Sequence, residues 1–226
     1  MNPADPNRAT GSFRDRLLSG LELAIAAWAV IGHNVFHVVP NEVPILVVMA
    51  LVSRRLRPKR WSELGFKRPT SWRRVVLLVL GAVALRWGAG YALEAITAHF
   101  WPPIVAPRGT DRIVGNPMAA LAALGIVWTF AAFGEEIGYR GYIMKRAADT
   151  AGGRRFGWLW GLVFSAVLFG FGHAYKGPAG VLDSTFAGLI MGGLYLLCGR
   201  CLWATILAHG LSDTLAVALA YFGLNN

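Results

Sequence analysis

The sequence FGEEIGYRGY at residues 133–142 decides the fold of this chain, because it sets two carboxylates and a guanidinium beside an apolar segment. Residues 119–132 are almost all apolar, and Glu135, Glu136 and Arg140 follow them closely. A charge at the centre of a bilayer costs about 2.5–3.5 kcal/mol on insertion scales. If this segment crosses a membrane, its charged residues must serve a function or a buried ion pair.

The composition is that of a polytopic membrane protein. Hydrophobic residues make up 55% of the 226 residues and charged residues only 15%, whereas soluble domains contain about 25% charged residues. A membrane-spanning helix needs about 20 apolar residues and satisfies its own backbone polar groups. We therefore predict an all-α transmembrane bundle of about seven spans (six to eight). They lie near residues 18–39, 43–52 (a short one), 75–97, 118–144, 156–173, 179–198 and 202–222.

The basic residues predict the orientation of the bundle. Most of the 22 Lys and Arg residues lie before the first span or in alternate loops, at residues 8–16, 54–74 and 140–155 and at Arg200. The positive-inside rule then makes the N-terminus cytoplasmic, with residues 1–16 as a polar tail and 17–226 as the transmembrane domain. Basic charge placed in this way indicates anionic lipid as a partner and no nucleic acid. The expected location is the inner membrane if the host is prokaryotic.

Four ionisable side chains on three spans should meet inside the membrane. Glu135 and His173 are equidistant from a hairpin turn at residues 149–155, so both should lie roughly 20–25 Å from that turn. His209 and Asp213 are spaced i, i+4 and share one face of the last span, about 10–18 Å from the same side. A purely structural polar network is the alternative, but two carboxylates and two histidines exceed what helix association needs.

Helix geometry points the two adjacent glutamates in different directions. Neighbouring residues point about 100° apart on a helix, so Glu135 and Glu136 cannot both face one centre. Glu136 is four residues before Arg140, the favourable order for an ion pair. Glu135 is then left to face the cavity as a general base.

The remaining groups suggest hydrolysis by an activated water. A water held by Glu135 and His173 would be the nucleophile, and His209, together with Asp213, could face the oxyanion of a tetrahedral intermediate. The chain has no Gly-x-Ser-x-Gly motif and no cysteine near this cluster, so a serine or cysteine nucleophile is not indicated.

Five polar residues elsewhere have simpler interpretations. Arg86, within the third span, is expected to pair with an acidic residue or to reach the interface. His33 and His37 are spaced i, i+4 on one face of the first span and are expected to pack there. Cys198 and Cys201 are interpreted as small residues at a helix–helix turn.

Three motifs in the fourth, fifth and seventh predicted spans resemble, in their order, those of the CPBP (Abi) family. This family comprises the type II CAAX prenyl endopeptidases and their prokaryotic relatives linked to bacteriocin processing and self-immunity. The resemblance extends over residues 117–226, whereas the first half is similar in hydropathy alone. The motifs are Glu135-Glu136-x-x-x-Arg140, Phe169-x-x-x-His173 and His209-x-x-x-Asp213.

The resemblance implies an intramembrane endopeptidase with the following roles. Glu135 would activate water with His173 beside it, and His209 and Asp213 would be oxyanion stabilisers or polar ligands. Structural support of the site would come from Glu136, Arg140 and Phe169.

Asp213 and the cofactor remain open at the sequence level. An ionised Asp cannot donate a hydrogen bond to an oxyanion, so Asp213 must be protonated, orient His209 or bind a metal, and we expect it to orient His209. His173, His209, Glu135 and Asp213 could together ligate zinc. A carboxylate-activated water needs no metal, so both zinc and no cofactor are compatible with the sequence.

The function that follows is hydrolysis of a peptide bond in a membrane-associated or lipidated peptide or protein. The partners would be a peptide or membrane-protein substrate and anionic lipid. The alternative is a non-catalytic membrane protein, such as a bacteriocin immunity protein or scaffold, or a small carrier that uses the polar cluster as a proton site.

Overall fold

The computed structural model describes residues 13–57, 63–101, 109–153 and 155–224, and these residues form seven helices and no strand. The predicted all-α polytopic bundle is confirmed, with span boundaries shifted by a few residues. The helices are α1 (Phe13–Asn34), α2 (Glu42–Leu56), α3 (Trp72–Thr97), α4 (Pro117–Thr150), α5 (Arg155–Phe171), α6 (Gly177–Leu197) and α7 (Leu202–Tyr221). Short 3₁₀ turns lie at Gly109–Arg112 and Ala174–Lys176.

Five of the helices are long and apolar enough to cross a membrane: α1, α3, α4, α6 and α7. α5 is apolar but has 17 residues, and α2 has 15. Large apolar side chains on α3, such as Leu77, Leu80 and Leu85, are exposed. A lipid-facing surface accounts for this exposure, because the bilayer takes the place of a protein core.

Three helices begin at polar residues that cap their first turn. Asn41, Ser71 and Asn116 each accept a backbone N–H of the following turn, at 2.9, 3.3 and 3.1 Å. The first N–H groups of a helix have no partner within it. These caps therefore satisfy donors that would otherwise be left unpaired near the membrane.

Helix α4 is unusual in length and in winding. It runs for 34 residues, and its central part, Val127–Ile143, is a π-helix between two α-helical ends. π-Helical winding is rare and often occurs at functional sites. The FGEEIGYRGY sequence lies within this segment. The predicted site residues Glu135, Glu136 and Arg140 are therefore in π-helical backbone.

Glycines bring α4 close to α2. A Cβ atom on Gly134 would come 2.7 Å from Val43 Cγ1, and one on Gly138 would come 3.0 Å from Leu46 Cβ. The two glycines are four residues apart, the small-residue spacing that lets membrane helices approach closely. α2 therefore packs directly behind the π-helical segment.

The α4–α5 hairpin forms where the sequence predicts it. α4 ends at Thr150 and α5 begins at Arg155. A Cβ atom on Gly161 of α5 would lie 2.5 Å from the Met144 carbonyl oxygen, so the two helices are in backbone contact. This close contact sets the register that brings the end of α5 beside the middle of α4.

An ion cluster that the sequence analysis did not predict ties α1, α2 and α4 together. Glu22 of α1 lies 2.6 Å from Arg57 Nη1 and accepts a hydrogen bond from Ser53 at 2.8 Å. On α4, the Tyr142 hydroxyl lies 3.4 Å and Arg146 Nε 3.5 Å from the same carboxylate. Paired charges of this kind are tolerated where single ones are costly.

The described part of the N-terminal region begins in helix α1. Residues 13–16 of the predicted polar tail are helical, and residues 1–12 lie outside the described residues, so the boundary between tail and transmembrane domain stays a prediction. α1 ends at Asn34, and His37 lies beyond the helix at φ 56°.

His33 and His37 therefore do not share a helix face, contrary to the prediction. His33 Nδ1 lies 3.0 Å from the Val39 carbonyl oxygen, and its Nε2 lies 3.6 Å from Glu42 Oε2. His33 thus holds the α1–α2 loop. The interpretation of the two cysteines is consistent with the structure, since both are free thiols at the α6–α7 turn.

Candidate active site

The Glu136 carboxylate is the buried centre of the polar cluster. Its Oε1 atom accepts hydrogen bonds from Arg140 Nη1 and from His209 Nδ1, both at 2.8 Å. The Glu136 and Arg140 side chains are 0% and 1% exposed. The predicted Glu136–Arg140 pair is thus observed, and an additional bond joins it to α7.

The aromatic ring of Phe169 contacts three other side chains of the cluster. The Arg140 guanidinium carbon lies 4.6 Å from the centre of its ring, a cation–π distance. The His173 ring is 4.8 Å away, and the His209 ring stands edge-on at 6.2 Å. One buried side chain therefore orients three of the predicted site residues.

His173 lies just beyond the end of α5, before the 3₁₀ turn. Its Nδ1 atom is 3.0 Å from the Phe169 carbonyl oxygen. A carbonyl can only accept, so Nδ1 must carry the proton, and Nε2 of the neutral ring keeps its lone pair. His173 can therefore accept a hydrogen bond from water through Nε2.

His209 is held between two carboxylates. Nδ1 bonds to Glu136, and Nε2 lies 3.5 Å from Asp213 Oδ2 on the same helix. A ring protonated at both nitrogens would donate to Glu136, face Asp213 and balance part of the negative charge of both. The contact with Asp213 is long for a hydrogen bond, so the Nε2 donor is able to bind another acceptor.

Glu135 borders a cavity of about 240 Å³ between α4, α6 and α7. Its Oε2 atom is buried and has no hydrogen-bond partner among the described residues. A buried carboxylate oxygen without a partner is costly unless something binds it. The same cavity is lined by Phe169, His173, His209 and Asp213.

Comparison with protein-family models gives one match. Residues 117–215 match the model described as type II CAAX prenyl endopeptidase, Rce1-like. This segment is thus similar to the type II CAAX prenyl endopeptidases. No curated protein and no solved structure matches the chain.

The matched segment contains six of the seven predicted site residues in the contacts described above, and the seventh, Glu135, borders their cavity. The match supports an intramembrane protease that acts on protein or peptide substrates. It does not assign roles to individual residues, so the roles given to Glu135, His173, His209 and Asp213 stay predictions.

The residues of the candidate active site do not fit a zinc centre as they are arranged. Within the described ranges, no three His, Cys, Asp or Glu side chains are grouped to hold a metal ion. Both ring nitrogens of His209 face carboxylates, and His173 Nδ1 faces a carbonyl. One histidine nitrogen, Nε2 of His173, is left for coordination, whereas zinc sites use three or four protein ligands.

Sequence reasoning missed one candidate site residue in the cavity that Glu135 borders. Ser212 lies three residues after His209 and lines the cavity, and its buried hydroxyl makes no hydrogen bond within the part of the chain that is described. A serine in an apolar helix carries no signal of function. Its position beside Asp213 could have indicated a role only if the site had been known to need a further hydrogen-bond donor for an oxyanion.

Proposed function

We propose that this protein is an intramembrane endopeptidase that hydrolyses a peptide bond of a membrane-associated or lipidated peptide or protein, using a water activated by Glu135 and His173. One observation carries the proposal: Glu135 presents a buried, unpartnered carboxylate oxygen, among the described residues, to a cavity that His173 and His209 also line.

The first step is attack by water on the scissile carbonyl. Glu135 takes one proton of the water, and His173 Nε2 accepts a hydrogen bond from the other. The water oxygen forms the new bond to carbon, and the carbonyl π electrons move to oxygen. A general base in this position contributes about 10²–10⁴-fold to the rate.

The second step is collapse of the tetrahedral intermediate. Its oxyanion accepts hydrogen bonds from His209 Nε2–H and from the Ser212 hydroxyl, which supply the donors that an ionised Asp213 cannot. Glu135 passes its proton to the amide nitrogen, the carbon–nitrogen bond breaks, and the products are a carboxylic acid and an amine. Donors fixed before the reaction stabilise the developing charge without reorganisation.

Glu136 acts through its neighbours and does not face the cavity. Its bonds to Arg140 and His209 fix the ring of His209 and make Nδ1 a donor. Phe169 supports the same ring from the side. These contacts give the two adjacent glutamates different tasks.

Cleavage of peptides by protein in liposomes tests the proposal. Wild type should cleave at least one of a panel of apolar, internally quenched peptides, with products identified by mass spectrometry, and Glu135→Ala should cleave none. A protein that uses the cluster as a proton site would cleave no peptide in either form.

Cleavage in the presence of a zinc chelator tests whether the reaction depends on a metal ion. Cleavage should persist with a zinc chelator, and elemental analysis should find no stoichiometric metal. Zinc that is bound stoichiometrically and is lost in His173→Ala or His209→Ala would contradict the metal-free mechanism.

A further inference from the structure

A second and wider cavity, of about 480 Å³, adjoins the candidate active site. Its walls come from the second half of α3, the beginning of α6 and the middle of α7. The lining residues used below are Arg86, Trp87, Tyr91, Lys176, Ala179 and Ala216.

The two cavities meet along shared walls. Arg86, Lys176, Ser212 and Asp213 line both of them. The active-site cavity alone, at about 240 Å³, is smaller than the ~300–1,000 Å³ typical of ligand sites. A peptide bound there must therefore place neighbouring residues elsewhere, and the wider cavity, which shares four lining residues with it, is adjacent.

The wide cavity exists because α3 leaves the bundle halfway along its length. In its first half, Val75, Val79 and Ala82 are buried against α6 and α7. None of residues 83–96 is buried. The cavity occupies the space that opens between this second half and the rest of the bundle.

An ion pair fixes α3 where the two cavities join. Arg86 donates to both carboxylate oxygens of Asp183 on α6, at 2.9 and 2.6 Å, which confirms the predicted pairing of Arg86 with an acidic residue. Gly90 makes room for the guanidinium, since a Cβ atom there would come 2.7 Å from Arg86 Nη1. The pair therefore holds the outer wall of the wide cavity in place.

The walls of the wide cavity suit a large apolar side chain. Trp87 and Tyr91 contact each other on α3, with ring centres 6.0 Å apart, and the small residues Ala179 and Ala216 lie on the other helices. An extended peptide advances about 3.3–3.6 Å per residue. A residue next to a scissile bond at Glu135 would reach this space.

We propose that the cavity between α3, α6 and α7 binds a large apolar or aromatic side chain of the peptide substrate, next to the scissile bond. This inference rests on the proposed function. The junction of the two cavities carries Arg86, Lys176, Ser212 and Asp213. Arg86 is already paired with Asp183, but the polar groups of Lys176, Ser212 and Asp213 match the amides of a peptide backbone, whereas a lipid chain offers them no partner.

Filling the cavity tests the assignment. Ala216→Phe places a ring in the cavity, and the matched control Leu215→Phe changes the adjacent, exposed position, which lines neither cavity. The probes are two dansylated peptides that differ only in a central Leu-Phe-Leu or Ala-Ala-Ala segment. Their binding is measured on the Glu135→Gln background, so the readout does not depend on cleavage.

The Leu-Phe-Leu peptide should bind about 10-fold more weakly to Ala216→Phe, because one large side chain loses its buried site. Leu215→Phe should leave its binding unchanged. In the cleaving enzyme, Ala216→Phe should raise KM for this peptide and keep kcat. If wild type cleaves no peptide but the Leu-Phe-Leu peptide still binds more weakly to Ala216→Phe, the proposed function fails and the binding site stands.

Unchanged binding of the Leu-Phe-Leu peptide to a folded Ala216→Phe variant would overturn the assignment. So would a copurified phospholipid that Ala216→Phe removes while peptide binding stays the same, since the cavity would then be a lipid site. If Ala216→Phe does not fold, Ala179→Phe fills the same cavity from α6 and is judged by the same outcomes.

Discussion

At the scale of single residues, one oxygen atom of Glu136 accepts hydrogen bonds from cationic groups on two helices. Its partner Arg140 could be predicted, because four residues along a helix is a local spacing. Its partner His209 could not, because the two residues are 73 positions apart and no pattern in one sequence connects them. The same limit concealed Ser212, whose unpartnered hydroxyl becomes visible only when the cavity is known.

Replacing Ser212 tests the assignment of the oxyanion donors. Ser212→Ala should lower kcat by about 100-fold, in the range found when one oxyanion donor is removed, and should leave KM nearly unchanged. The assay is peptide hydrolysis over a range of substrate concentrations that reaches saturation, which gives both kcat and KM.

Ser165→Ala is the matched control for Ser212→Ala. Ser165 is also buried, but its hydroxyl donates to the Tyr139 carbonyl at 2.9 Å and does not line the cavity. The Ser165→Ala variant should lose about 1 kcal/mol in free energy of unfolding and keep the wild-type kcat. Equal losses of kcat in both variants would argue against a special role for Ser212.

At the scale of helices, the α4–α5 hairpin brings Glu135 and His173 to one cavity. This placement could be predicted from the positions of the two residues on either side of the turn, since helical rise is constant. The π-helical winding of Val127–Ile143 could not, because a shift from i→i+4 to i→i+5 bonds leaves no clear pattern in the residues. The hairpin register nevertheless depends on glycines that the sequence shows.

A methyl group in the hairpin contact should disturb both stability and activity. Gly161→Ala would place Cβ 2.5 Å from the Met144 carbonyl oxygen, and overpacking of this kind costs about 1–3 kcal/mol. Because His173 follows α5, kcat should fall as well. Thermal unfolding and peptide hydrolysis measure the two effects.

Gly125→Ala on α4 is the control for the hairpin variant. A Cβ atom there meets no other atom within 4 Å, so unfolding and hydrolysis should stay at wild-type values. If Gly161→Ala behaves like this control, the close hairpin contact does not set the geometry of the site.

At the scale of the whole molecule, the alternation of basic loops predicts which side each helix end faces. The hydropathy of the sequence reveals the helices and their order. It cannot show that α3 leaves the bundle after Arg86, because hydropathy does not say which neighbours a membrane helix packs against. The wide cavity is thus a property of packing that only the three-dimensional structure reveals.

The predicted topology can be measured with alkaline phosphatase fusions in a bacterial host. With the N-terminus in the cytoplasm and seven crossings, a fusion after Leu224 should be active and a fusion in the basic loop before α3 should be inactive. The reverse pattern would contradict the predicted orientation.

The central claim is that Glu135 does chemistry while Glu136 holds the structure, and one comparison tests it directly. Hydrolysis rate and thermal unfolding are measured for Glu135→Gln and Glu136→Gln under the same conditions. Glu135→Gln should lose about 10²-fold or more in kcat with no loss of stability. Glu136→Gln should unfold at a lower temperature, because breaking a buried ion pair costs about 3–5 kcal/mol. Full activity in Glu135→Gln would contradict the account.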